Sequence, residues 1–527
     1  MSSTPQSYIA GQWHSPTAST FSSWDPTADQ ALQSCGTCGD DEIALACAAA
    51  VSATNELTKK TPAELAGFLR QLATEIEALG DELITTGMSE TGLPEARLQG
   101  ERGRTCGQIR AFADMVEEGS WRQASIDTAQ PDRAPLPKPD VRALLNPIGP
   151  VAVFGASNFP FAFGSLGGDS AAALAAGNPI VVKGHPSHPM TSTLFAKAMD
   201  SAIKNCGFPA GTFSLLQGTG NALGGALVEN SAIKAVGFTG SVAGGRALMD
   251  IAAKRPQPIP VFAEMGSINP VFILPDALES NLNLIATGLA GSISMGVGQF
   301  CTSPGLIVTL KGDLGEQLAN ELSAQARGVM LNPGIAESLQ TSLSQRASNE
   351  AIDVLAGGPV GDQPLQPNNT LMRIDAERFL ATPELLHEVF GPAALLVECD
   401  SVAQMQQVAK AMEGNLTATI HTQDYDSPAV SELLQQLSRV AGRVLFNGYP
   451  TGVEVCPSMQ HGGPYPASSF AVATSVGTAA ATRFTMRNAY QNCPDSLLPA
   501  ELQNANPLGL WRLVDGQFTQ TAVSQEA

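Results

Sequence analysis

The sequence predicts an α/β fold built around a parallel sheet with helices on both faces. Two observations carry this. Between residues 150 and 254, four strand–helix units follow one another, with strands at 150–155, 179–183, 212–217 and 233–238 and helices at 163–176, 192–204, 222–229 and 242–254. Their strands are near-continuous apolar runs, the pattern of strands covered on both faces. The second observation is that glycine, serine, proline and a lysine gather just after those strands. Open parallel sheets bind ligands at that edge.

Taken in order, residues 7–30 hold aromatic and turn residues and predict a short hairpin and a loop. An Ala-rich pattern predicts a helix over 40–53. Thr61-Pro62-Ala63-Glu64 has an N-cap threonine, a proline at the first helical position and a glutamate at the third, a capping box that opens a helix to about 79. A further helix is expected over 95–116, with Arg97, Glu101, Arg104 and Arg110 on a polar, solvated face. Arg104 and Arg110 are also candidates to bind an anionic substrate. The proline-rich stretch 129–140 reads as an extended connector, and 141–145 as a strand. After the four units, 258–265 is a strand ending in Glu264-Met265-Gly266-Ser267, and a second α/β block spans about 270–470. The tail, 495–527, is partly helical. The crowded stretch 446–466 (FNGYPTGVEVCPSMQHGGPYP) predicts an ordered loop near a site.

Composition narrows the function. The chain has 527 residues, enough for two or three domains with sizeable cores, and 43% hydrophobic residues mark it as globular. A net charge of −20 argues against a nucleic-acid partner or an anionic membrane surface. No run of 18 apolar residues appears, so no membrane span is expected. The opening residues, Met1 to Gln6, lack the charged and apolar regions of an export signal. Nine scattered cysteines, an odd number, fit free thiols in a reducing cytoplasm. Cys35-Gly36-Thr37-Cys38 is a lone pair with no second pair at metal-binding spacing. It reads as a surface loop, and no metal centre is expected.

The chemistry converges on Gly298-Gln299-Phe300-Cys301-Thr302-Ser303-Pro304-Gly305. An apolar helix (282–295) precedes this cysteine and a short strand (305–310) follows it, so the thiol lies on a tight connection between rigid elements. Such a cysteine is either a nucleophile or a small buried hydrophobe. Three loops point to a nucleotide: Gly155 to Pro160, Lys183 to Pro186, and Gly237 to Ser241 with Gly244 and Gly245. Glycines let a phosphate approach the backbone, and a helix N-terminus can hold it. The spacing is not GxGxxG, so this is not the common dinucleotide fingerprint.

Together, Ser157-Asn158-Phe159-Pro160, Lys183, Phe238-Thr239-Gly240-Ser241, Glu264-Met265-Gly266, Gln299-Phe300-Cys301 and Glu388-Val389-Phe390-Gly391-Pro392 resemble the NAD(P)-dependent aldehyde dehydrogenase superfamily, in its order and near its spacings. Two stretches, 149–160 and 446–455, look like the branch that holds 2,5-dioxovalerate (α-ketoglutaric semialdehyde) dehydrogenases and a bacterial NADP-dependent fatty aldehyde dehydrogenase. The resemblance implies a Rossmann-type cofactor domain (1–134 with 149–261), an α/β catalytic domain (262–470), and a small bridging or oligomerisation element with the tail (135–148 with 471–527). It implies Cys301 as nucleophile, Asn158 and the Cys301 amide as oxyanion donors, and Glu264 as the base for hydrolysis of a thioester. Glu388 is expected on the nicotinamide ribose, Phe390 beside the ring, Lys183 at the adenosine ribose and Ser241 at the pyrophosphate. His185, Pro186, Gly240 and Gly245 complete the cofactor contacts. Many NAD-preferring members carry Glu three residues after the lysine; Pro186 stands there, which admits NADP and favours it. No arginine stands in 205–230 to clamp a 2′-phosphate, which keeps NAD open. The resemblance also implies a homodimer or homotetramer.

The expected substrate is α-ketoglutaric semialdehyde, giving 2-oxoglutarate, with Arg104 or Arg110 on its carboxylate. The alternative is a medium- or long-chain aldehyde in an apolar funnel lined by Phe161, Phe163 and Phe300. Transfer of the acyl group to CoA conflicts with a hydrolytic base at Glu264. From another class, the chain could be an inert nucleotide-binding structural protein. The presence of Cys301, Asn158, Glu264 and Glu388 together speaks against it.

Overall fold

The computed structural model describes residues 4–16, 19–359 and 365–523. The first three residues, part of the stretch expected to lack an export signal, and the last four of the tail lie outside them.

The first sheet runs, in spatial order, Val261–Glu264, Ala235–Thr239, Val151–Phe154, Ile180–Lys183 and Phe213–Leu216, all parallel. The hairpin Ser7–Ile9 and Gln12–His14 closes one edge antiparallel. Alternation along each strand sends successive side chains to opposite faces. Val151, Val153, Ile180 and Val182 pack with the helices Pro62–Ala78, Glu95–Glu118 and Pro189–Cys206. Ala152, Phe154, Val181 and Val236 pack on the other face with Asp40–Leu57, Asn221–Glu229 and Val242–Lys254. Thr61 accepts from the Glu64 amide at 3.2 Å, and Glu64 accepts from the Thr61 amide at 2.8 Å, so the predicted capping box is present.

The second sheet orders Asp353–Ala356, Thr370–Asp375, Ala393–Cys399, Leu306–Leu310, Val271–Ile273, Asn415–His421 and Ala441–Phe446, with only the first pair antiparallel. The third joins Thr485–Gln491, Val141–Pro147, Ser125–Asp127, Arg512–Val514 and Gln517–Thr519. It thus draws in residues upstream of position 135, where the bridging segment was expected to begin.

Three local expectations change. The helix expected over 163–176 begins only at Gly168. Before it the chain folds on itself so closely that a Cβ at Gly164 would come 1.9 Å from the Pro160 carbonyl oxygen. The stretch 129–140 is not extended: Gln130 and Lys138 pair backbone to backbone at 2.9 and 3.0 Å and fold it back. Cys35 and Cys38 are buried, not on a surface loop, and Cys38 Sγ lies 3.1 Å from Ser7 Oγ.

Candidate functional site

Cys301 follows the helix Pro275–Ser294 through a turn in which Gly296, Val297 and Gly298 have φ of 58°, 60° and 62°. A β-branched residue is strained there. Gly298 is needed for space as well, since a Cβ would lie 2.1 Å from the Gly391 carbonyl oxygen. The turn is pinned from three sides. Asn158 Nδ2 donates to the Gln299 carbonyl at 2.9 Å. Gln299 Oε1 accepts from the Leu331 amide at 3.0 Å. Asn269 Nδ2 donates to the Cys301 and Ser303 carbonyls, both at 2.9 Å.

The thiol stands where two cavities meet. The larger, about 710 Å³, opens along the carboxyl edge of the first sheet and touches Asn158, Gly240, Glu264, Cys301, Glu388 and Phe390. His185, Pro186 and Ser241 also line it, as expected, and so does Trp24, which the sequence did not single out. Glu388 lies against Gly266, where a Cβ would come 2.6 Å from its Oε2. Burial pushes its carboxyl up to about 8. Ser241 is also the N-cap of the helix Val242–Lys254, accepting from the Gly244 amide at 3.1 Å. Two expected cofactor contacts differ. Gly245 does not line the cavity; it lies under Met265, whose Sδ would be 2.5 Å from a Cβ there. Lys183 turns its ammonium onto the carbonyls of Gly218 and Gly184, at 3.0 and 3.3 Å, and burial lowers it to about 8.

The second cavity, about 440 Å³, is lined by Arg97, Arg104, Phe159, Phe163, Phe300 and Val453 around Cys301. Arg104 is there as expected, its guanidinium donating to the Val453 carbonyl. Arg110 is not. It lies six residues further along the helix, roughly 120° around its axis, where its side chain is 41% exposed and forms a two-pronged ion pair with Glu77 at 2.6 Å. Phe161 is also misplaced by the sequence reading. Phe159 and Phe163 are joined by a 3.0 Å backbone bond and share one side of a turn, whereas Phe161 points the other way, fully buried edge-on against Phe195.

Two of the residues read as a solvated face are instead structural parts of this cavity. Glu101 is buried and accepts from the Phe161 and Ala162 amides at 2.8 and 2.9 Å, fixing the phenylalanine turn. Arg97 reaches Glu101 at 3.5 Å and lies over the rings of Phe159 and Phe300, 4.4 and 4.5 Å from their centroids. The spacing 97, 101, 104 is i, i+4, i+7, one helix face, and that was the signal available.

His461 was missed. Its Nε2 lies 3.5 Å from Cys301 Sγ and 3.1 Å from Glu264 Oε1, and both His461 and Glu264 are buried. Ser475 Oγ donates to Glu264 Oε2 and, at 3.1 Å, to the His461 carbonyl. The crowded loop carries His461 here because it is stitched to the end of the strand Val261–Glu264: the Met265 amide donates to the Ala467 carbonyl at 2.8 Å. Burial opposes ionisation of Glu264, but His461, Ser475 and Arg483 outweigh it and hold the carboxyl below its usual range. Cys301 is pushed well above the ordinary thiol range by burial, then by the charges of Glu264 and Glu388, with Arg104 opposing.

The model of the aldehyde dehydrogenase family matches residues 13–486. Over 523 residues the chain is 47% identical to alpha-ketoglutaric semialdehyde dehydrogenase 2 of Azospirillum brasilense, covering 98% of this chain and 100% of that one. It is 45% identical over 485 residues to alpha-ketoglutaric semialdehyde dehydrogenase of Acinetobacter baylyi, covering 91% and 92%. Among solved structures, a mutant of aldehyde dehydrogenase C from Pseudomonas syringae, complexed with NAD+ and octanal, matches with a TM-score of 0.80 at 20% identity, over 93% of this chain and 97% of that one.

Proposed function

The chain belongs to the aldehyde dehydrogenase family, and from that premise we propose that it oxidises α-ketoglutaric semialdehyde to 2-oxoglutarate with NAD(P)+, through a thioester on Cys301. The observation that carries the substrate is the pair of guanidinium groups, Arg97 and Arg104, on the wall of the Cys301 cavity. A dicarboxylic semialdehyde brings a carboxylate and a keto oxygen that need such donors. The names of the two relatives with near-full coverage support the same substrate. The aromatic wall of Phe159, Phe163 and Phe300 would flank the short carbon chain.

The larger cavity suits a dinucleotide. Glu388, its carboxyl pushed up to about 8, would hold sugar hydroxyls, Ser241 and the helix end beside it would hold phosphate, and Phe390 would pack beside the ring. His185 and Pro186 form a wall without the carboxylate that would repel a 2′-phosphate, so we favour NADP+ while NAD+ remains usable. Bound there, the cofactor supplies the two-electron acceptor. The protein's own groups do the rest. Cys301 loses its proton to the Glu264–His461 pair, and its sulfur bonds the aldehyde carbon. Asn158 Nδ2 and the Cys301 amide face the resulting oxyanion. After oxidation Cys301 carries the acyl group as a thioester. The pair passes the thiol's proton to solvent, water attacks the thioester while the pair takes the water's proton, and the C–S bond breaks to release the acid, with that proton returned to sulfur to restore the thiol. One Nε2 holds one proton, so His461 serves Sγ and the Glu264 carboxylate alternately.

The exposed end strand Thr485–Gln491 of the third sheet fits pairing with a second copy, and we favour a homodimer or homotetramer. A cytoplasmic location fits the nine free cysteines. No helix among the described residues is long and apolar enough to cross a membrane.

The test is kcat/KM for α-ketoglutaric semialdehyde, succinic semialdehyde and decanal, each with NAD+ and NADP+. The reading expects a clear lead for α-ketoglutaric semialdehyde. A lead for decanal would overturn the substrate and leave the chemistry at Cys301 in place.

A further inference from the structure

We infer that Cys301, His461 and Glu264 form a high-affinity site for a borderline-soft divalent cation, with Zn2+ as the fitting ion, and that this ion reversibly silences the nucleophile. The three side chains offer one sulfur, one imidazole nitrogen and one carboxylate oxygen, all within 4.8 Å of one another. That is the donor set of a three-ligand zinc site with a fourth position free.

The geometry goes further than the residue types. With bonds of about 2.3 Å to sulfur, 2.05 Å to nitrogen and 2.1 Å to oxygen, tetrahedral angles place sulfur and nitrogen about 3.6 Å apart and nitrogen and oxygen about 3.4 Å apart. The structure has 3.5 Å and 3.1 Å on those two edges. The third edge, no longer than 4.8 Å, needs about 3.6 Å, and Cys301 is the side chain with room to adjust it, because it borders both cavities. A thiolate, a neutral imidazole and a carboxylate around Zn2+ sum to zero charge, which suits a buried position. Glu264 is held by Ser475 on its other oxygen and His461 by the loop stitched to the strand end, so two of the ligands are already oriented.

Binding forms a Zn–S bond and breaks the S–H bond, and the proton goes to solvent. Nothing is oxidised or reduced. The sulfur lone pair that would attack an aldehyde is then engaged by the metal, and Glu264 and His461 can no longer take protons. The inference does not rest on the aldehyde assigned above, because the metal is read at the cysteine itself.

The experiment uses the full-length protein and Co2+ as a spectroscopic stand-in for Zn2+. Expected is one Co2+ per chain with a thiolate-to-cobalt charge-transfer band, displaced by Zn2+, and abolished in Cys301→Ala. His461→Gln should weaken Zn2+ by more than about 100-fold, beyond the loss typical of a group that only orients a ligand. On the wild-type protein, buffered Zn2+ should slow iodoacetamide labelling of Cys301, located by peptide mass, at least tenfold, and EDTA should restore it. Three results would each overturn the inference: a cobalt complex without the charge-transfer band, a band unchanged in Cys301→Ala, or labelling of wild-type Cys301 as fast with Zn2+ as with EDTA. Equal Zn2+ affinity in His461→Gln, with its cofactor binding intact, would do the same. Failure of the substrate assignment alone would leave the band and the protection in place.

Discussion

Burial, and after it the negative charge of Glu264, push the Cys301 thiol well above its ordinary range. The sign for pH follows. Below a raised pKa the thiolate fraction grows with pH, so alkylation of Cys301 should rise roughly tenfold per pH unit through neutrality. A flat profile from pH 6 to 9 would contradict this. Removing the Glu264 charge acts in two directions. Glu264→Gln should speed alkylation at pH 7, since a neighbouring negative charge is gone, and should slow steady-state turnover by about 10²–10⁴-fold, since thioester hydrolysis loses its base. A burst of reduced cofactor followed by a stall would report the trapped acyl enzyme. At the other wall, Arg104→Ala should raise KM for α-ketoglutaric semialdehyde by about 10–100-fold, the size of a lost hydrogen bond to a charged group, and leave decanal little changed. Asn158, Glu264 and Cys301 were legible because each sits in a short, distinctive run of sequence. His461 was not, since its 3.5 Å approach to Cys301 spans 160 residues.

At the scale of elements, the turn before Cys301 sets the precision of the site. Gly298→Ala should destabilise the fold by more than about 2 kcal/mol, because the new Cβ meets a backbone carbonyl in a left-handed residue. Gly291, in the preceding helix with open space at its Cβ, is the contrast. Gly291→Ala should stabilise by about 0.4–1 kcal/mol through a less flexible unfolded chain. Thermal unfolding of the two variants checks both signs. The helix Glu95–Glu118 shows what patterning alone misses. Its arginines look alike in sequence, yet helical rotation sends Arg97 and Arg104 into the cavity and Arg110 to an exposed pair with Glu77. Phe161 fails for the same reason: two residues along one turn reverse the direction of a side chain.

For the whole molecule, the loop 446–475 matters most, because it closes the space between the first sheet and Cys301. It supplies Val453 to one cavity and His461 and Ser475 to the Glu264 carboxylate. The third sheet leaves Met486 and Phe518 exposed at its two end strands, 46% and 75%. A subunit that covers these edges gives a dimer or larger assembly in light scattering, and Met486→Lys should shift the mass toward the monomer. A mass equal to one chain at micromolar concentration would refute the assembly.

Residue patterns along the chain are enough to set the parallel sheet, the order of its strand–helix units and the loops at its carboxyl edge. These rest on local periodicity and turn chemistry, which each segment carries alone. The candidate nucleophile and its neighbours were legible in the same way, in short motifs. Which arginine enters the cavity, which phenylalanine lines it, and the place of His461 between Cys301 and Glu264 emerge only when distant segments pack together. Those facts depend on the rotation of a helix and on the meeting of segments far apart in the chain, and no local pattern encodes a distance across the fold.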